Sequence, residues 1–104
     1  MMKLNIYQIN KDRDTKRIIF CNLQHLKILQ GSEIIDRSIY DKVYSGMVDC
    51  RNLEDVFMVF NLYKPDNFKG HSLSVSDVVE IIESDVEQPG FYFCDSFGFT
   101  PIDF

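Results

Sequence analysis

The sequence has no tryptophan, three prolines and only two histidines. His25 and His71 stand far apart, with no HxH or HExxH spacing around either, so a histidine-built metal site is not expected. The three cysteines, Cys21, Cys50 and Cys94, form no CxxC pair and are odd in number. That excludes a fully paired disulfide framework and fits reduced thiols that pack as small hydrophobes. No stretch approaches the roughly 18 consecutive apolar residues of a membrane helix, and the N-terminus carries no apolar signal region. A cytoplasmic protein with no membrane contact is the expectation. GxGxxG, Walker and GxSxG patterns are all absent, which removes the usual nucleotide-binding and nucleophile-elbow readings. Neither a cofactor nor a metal is expected. There is no repeat, low-complexity tract or Gly/Ser linker, so residues 1–104 read as a single domain.

What is present is apolar bulk and an uneven charge. Hydrophobic residues make up 45% of 104, with nine Phe and five Tyr, enough for one core. Net charge is −5. Residues 1–51 carry nine Lys/Arg against six Asp/Glu, while residues 52–104 carry two against ten. An acidic second half repels phosphate backbones, so direct nucleic-acid binding is disfavoured. The basic group Lys11, Arg13, Lys16 and Arg17 is interrupted by Asp12 and Asp14 and reads as a solvated loop.

Local patterns place the elements. "KLNIYQI" (3–9) is rich in strand formers, and "NKDRDTK" (10–16) breaks the chain. A short helix is predicted from Asn22 to Gln30, closed by Gly31. A turn or short helix around Asp36–Tyr40 leads into a strand through "KVYSGMVD". The clearest helix is "NLEDVFMVFN" (52–61). Asn52 is a suitable N-cap, and Glu54 and Asp55 sit at the positive end of the helix dipole. Leu53, Val56, Phe57 and Phe60 fall on one expected buried face. The loop 62–72 holds Pro65 and Gly70, "DVVEIIE" (77–83) and "FYFCDSF" (91–97) read as an antiparallel hairpin, and "GFTPIDF" as a last extended segment. The fold class is α+β: a small, mostly antiparallel sheet of four to five strands with one or two helices packed on one face.

The densest polar group is "GHSLSVSDVVEII" (70–82). His71 with a serine and Asp77 has the residue types of a small hydrolase, but triad members come from separated parts of a fold, since three groups must converge at about 3 Å. The bland account is turn chemistry: Ser72, Ser74, Ser76 and Asp77 bonding nearby backbone at a strand entry. His71 is the residue that no turn needs. Glu80, Glu83, Asp85 and Glu87 suit an acidic hairpin face. Phe99 and Phe104 are candidates for an exposed apolar patch.

Five blocks occur in order: "NIYQI", "YDKVYSGMV", "LEDVFMVFN" with Pro65 four residues on, "GHSLSVSDVVEI" and "YFCDSFGFTPIDF". Together they resemble the YodL-like domain family of Gram-positive bacteria and their mobile elements, over roughly residues 4 to 104. "HSLSVSDVV" followed by "DSFGF" is the most specific part. The resemblance implies small free-standing proteins or modules of larger mobile-element proteins, with no established enzymatic activity and no catalytic residue to carry over. The expected function is a non-enzymatic protein-binding module whose partner is a host or element-encoded protein. Its candidate contact residues are His71, Glu80, Glu83, Asp85, Glu87, Phe99 and Phe104. The alternatives are an anti-defence inhibitor that presents its acidic face where a nuclease expects phosphates, and a hydrolase-like enzyme using His71 with Asp77 or Asp95.

Overall fold

The computed structural model describes residues 1–104. In chain order the elements are β1 (Met2–Ile9), α1 (Leu23–Gln30), a 3-10 turn (Arg37–Ile39), β2 (Tyr40–Val48), α2 (Leu53–Leu62), β3 (Val78–Ser84), β4 (Gly90–Asp95) and β5 (Gly98–Ile102). The strands form one antiparallel sheet in the order β2-β1-β3-β4-β5. The N-terminal strand is therefore interior, between β2 and β3, and only the β3–β4 and β4–β5 pairs join strands linked by short turns.

The helix limits follow from their caps. The Asn22 side chain accepts a hydrogen bond from the His25 N–H at 2.8 Å, and Gly31 closes α1 at φ +73°, a left-handed conformation that favours glycine. Asn52 accepts from the Asp55 N–H at 2.8 Å and starts α2. The chain leaves α2 at Tyr63, ahead of Pro65.

The sheet is covered on both faces. Met2, Leu4 and Ile6 of β1 join Val79 and Ile81 of β3 and Leu53, Val56 and Phe60 of α2 in one core. Tyr7 and Ile9, of the other parity in β1, join Val78, Phe93, Ile18, Ile35 and Leu26 of α1 in a second. Alternate strand residues point to opposite faces, so the two helices lie on opposite sides of the sheet. The sequence reading placed them on one face; the fold class and strand count are as expected, but the helices divide. A bulge in β2 completes the division. Ile6 pairs with Tyr44 but Tyr7 pairs with Lys42, leaving Val43 extra. The extra residue reverses the parity, so Tyr44 enters the α2 core while Tyr40 enters the α1 core.

One expected core position differs. Leu53, Val56 and Phe60 are buried, but Phe57 is 43% exposed. It leans off the buried stripe of α2 toward β4 and β5.

Candidate functional site

The polar stretch 70–77 is held by one buried side chain from β1, Gln8. Its Nε2 donates to the His71 carbonyl oxygen at 2.8 Å and to Asp77 Oδ2 at 3.0 Å, while its Oε1 accepts from the His71 N–H at 3.1 Å. Backbone and amide are so close that a Cβ at Gly70 would lie 2.0 Å from Gln8 Oε1 and 3.1 Å from Val43 Cγ2. Glycine is required at 70 by proximity, not by backbone angle. The neighbouring Lys69 N–H donates to the carbonyl of Val43, the bulged residue of β2, at 3.0 Å. Loop and bulge therefore fix each other.

Asp77 is fully buried. Its Oδ2 also accepts from the Ser74 N–H at 2.8 Å, whereas Oδ1 is buried with no partner. Burial pushes the carboxyl up to about 8, against the smaller opposing pull of the Ser74 and Gln8 hydrogen bonds. Ser76, also fully buried, adopts φ +83°. Its N–H donates to the Cys94 carbonyl, its Oγ accepts from the Phe20 N–H, and its carbonyl accepts from the Tyr40 hydroxyl. Three bonds hold a residue in a conformation that costs about 1–2 kcal/mol outside glycine. Tyr40 and Cys94 are both raised, by burial first and the nearby Asp77 second.

His71 itself is exposed. Its Nδ1 lies 2.7 Å from the Ser72 carbonyl oxygen, to which only a protonated Nδ1 donates, so in the neutral ring Nε2 carries the lone pair. The Phe20 ring meets it edge-on at 5.6 Å. Gln8 stands between imidazole and carboxylate, and no hydrogen bond joins His71 to Asp77. Asp95 is engaged elsewhere, accepting from the N–H groups of Leu23 and Ser96. His71 lines none of the five main surface hollows, and nowhere do three His, Cys, Asp or Glu side chains converge as metal ligands would.

The acidic hairpin is less uniform than its sequence. Glu80 turns onto the α1 side of the sheet, where Oε1 accepts from Asn5 Nδ2 at 3.0 Å and from the Tyr7 hydroxyl at 2.9 Å. Burial, then Glu80, raise Tyr7. Glu83 and Asp85 are exposed and Glu87 half-buried, with Asp85 Oδ2 3.8 Å from the amino terminus. Phe104, expected in an exposed patch, packs instead against Tyr7, Tyr40 and Phe91. The Arg37 guanidinium covers Tyr7, Phe91 and Phe104 at 4.9–5.4 Å and donates to the Phe104 carbonyl oxygen. Of the basic group, Arg13 is paired with Asp41 and Lys16 donates to the Gln30 carbonyl.

Phe99 lies at the one markedly apolar hollow, a groove of about 580 Å³ between α2, the 73–75 segment and the β4–β5 hairpin. Phe57, Leu73, Val75 and Phe99 supply its apolar lining, Glu54 and Asp95 its carboxylates, and no lysine or arginine borders it. At the hairpin tip Phe97 is 100% exposed, between groove-lining Ser96 and Gly98. Elsewhere on α2, Met58 and Leu62 are 47% and 69% exposed. Phe57, Phe97 and Leu73 were not among the contact residues expected from sequence. Only Phe97, in a two-residue turn before Gly98, carried a local signal of exposure.

No helix is long and apolar enough to cross a membrane. No curated protein matches the chain, and no solved structure does. The family model of the YodL-like domain matches residues 3–104, which takes in every element from β1 to β5 except Met2, the first residue of β1, and the chain belongs to that family.

Proposed function

We propose that this chain is a protein-binding module, working by contact in a Gram-positive bacterium or one of its mobile elements, with the β4–β5 hairpin and α2 as its contact surface. The observation that carries this reading is Phe97, fully exposed at the tip of a hairpin whose residues Ser96 and Gly98 line an apolar groove. Single exposed apolar residues are ordinary on protein surfaces. Here Phe57 lines the hollow, the hairpin that forms its other wall carries Phe97, and Met58 and Leu62 are exposed on the same helix as Phe57. Exposed apolar surface of this extent marks contact sites. Aromatic residues that bury on association supply much of the energy of such contacts.

The test is affinity capture from a native cell extract with the wild-type chain and with Phe97→Ser. Phe97 contributes nothing to either core, so the variant should fold unchanged. The expected result is a defined partner retained by the wild type and lost by Phe97→Ser. No specifically retained protein with the wild-type chain would overturn the reading.

A further inference from the structure

We infer that the groove between α2 and the β4–β5 hairpin takes a partner segment that presents a bulky apolar side chain next to lysine or arginine. This rests on the protein-contact reading and adds the chemistry of the occupant. The apolar part follows from the lining: Phe57, Leu73, Val75 and Phe99 leave a hollow of about 580 Å³, ample for a Leu or Phe side chain and its flanking backbone. The basic part follows from charge. Glu54 and Asp95 both border the groove, and neither belongs to any of the ion pairs of the chain. With no cation on the groove wall, an incoming carboxylate meets repulsion. An incoming ammonium or guanidinium finds Glu54 and the Asp95 carboxylate, whose Oδ1 holds two backbone N–H groups but no cation, at the edge of an apolar surface where charge pairing is less screened than in open water.

The same charges argue against a second copy of this chain. The feature that would enter the groove is the Phe97 tip, and its own neighbour Asp95 would then approach Glu54. Like charges brought together across a contact disfavour it.

The experiment pans a displayed library of random 12-residue peptides on the full chain. Affinities of selected synthetic peptides are then measured by fluorescence polarisation for wild type, Glu54→Lys, Asp95→Asn and Phe97→Ser, with folding checked by circular dichroism. Asp95→Asn retains an oxygen for the Leu23 and Ser96 N–H groups, so it tests charge with the cap preserved. The expected peptides carry an aromatic residue or leucine beside Lys or Arg. Their binding should fall about tenfold with Glu54→Lys, the size of one lost charge pair, and weaken with rising salt. Selected peptides that are neutral or acidic, or whose affinity is the same for Glu54→Lys, would overturn the inference, as would failure to select any. Concentration-dependent dimerisation abolished by Phe97→Ser would also overturn it, in favour of a second copy. If the extract yields a partner while the peptides show no basic preference, the binding-module reading stands and the groove assignment falls. Selected basic peptides with no partner in the extract leave the groove assignment standing and remove the wider reading.

Discussion

Replacing Asp77 with asparagine should remove much of the dependence of stability on pH. Asp77 is a buried carboxyl with one oxygen bonded twice and the other bare. Burial raises it to about 8, whereas an aspartate in an unfolded chain titrates near about 3.9. The folded protein therefore holds this proton more tightly than the unfolded chain. Below about pH 4 both states are protonated and the contribution is fully present. As pH rises from there, the unfolded chain ionises first and stability falls, at up to about 1.4 kcal/mol per pH unit, until the folded carboxyl ionises in turn. Between pH 5 and 7.5 that amounts to about 3 kcal/mol, a large part of the 5–15 kcal/mol typical of a whole domain.

Asparagine at 77 keeps an oxygen for the Ser74 and Gln8 donors. It places an amide N–H₂ where Oδ1 now lies without a partner, at a cost of about 1–3 kcal/mol. The protonated acid leaves an O–H in the same environment, so the two proteins should be similar in stability near pH 5. By pH 8 the variant should be the more stable. Urea unfolding followed by circular dichroism at four pH values between 5 and 8 measures this directly, and the difference between the two proteins cancels titrations common to both. Parallel stability curves across that range would refute the buried-proton account.

Gly70→Ala should destabilise by at least about 2 kcal/mol, because its Cβ would displace the Gln8 amide and unmake buried hydrogen bonds. In a Gln8→Ala background the penalty should shrink, and an additive pair of thermal-melt shifts would show that the two residues are independent. Phe60→Ala should cost about 3–5 kcal/mol in chemical denaturation and Phe57→Ala under about 1.5, since Phe60 is fully buried and Phe57 is not; equal losses would contradict the placement of α2. Arg37→Ala should lower stability by about 1 kcal/mol through the lost stacking on three rings, with Arg37→Lys restoring less than half, because an ammonium does not stack as a planar guanidinium does. A full rescue by lysine in the same denaturation assay would show that charge alone matters there.

Most of the secondary structure was legible because its signals are local. Asn22 and Gly31 bound one helix, Asn52 and the approach to Pro65 the other, and those residues act on backbone within a turn of themselves. The division of β2 side chains between the two faces was not legible, because it depends on a single extra residue in that strand. Nothing in "YDKVYSG" marks Val43 as bulged; the reason lies in Lys69, whose N–H takes the Val43 carbonyl, and in the close approach of Gly70. A parity change has a cause remote in sequence but an effect on every later side chain of the strand.

The polar stretch shows the same limit from the other side. Its serines and Asp77 do set turns, as their types imply, with the Ser74 N–H on Asp77 and the Ser74 hydroxyl on the Ser72 carbonyl. The residue that organises the stretch is Gln8, sixty-three positions before His71, and in the strand "KLNIYQI" it reads only as a polar interruption. The groove is harder still. Its walls come from three separate segments, and the helical spacing that correctly buried Leu53, Val56 and Phe60 also claimed Phe57. Spacing gives the angle of a side chain about its helix axis but not the width of surface waiting beneath it. Leu53, Val56 and Phe60 share a core with β1 and β3, whereas Phe57 overhangs the groove beside β5, the last strand of the sheet. Where a sheet ends beneath a helix, an apolar residue of correct period is left uncovered by the chain's own core, and it is there that the fold and the proposed contact surface meet.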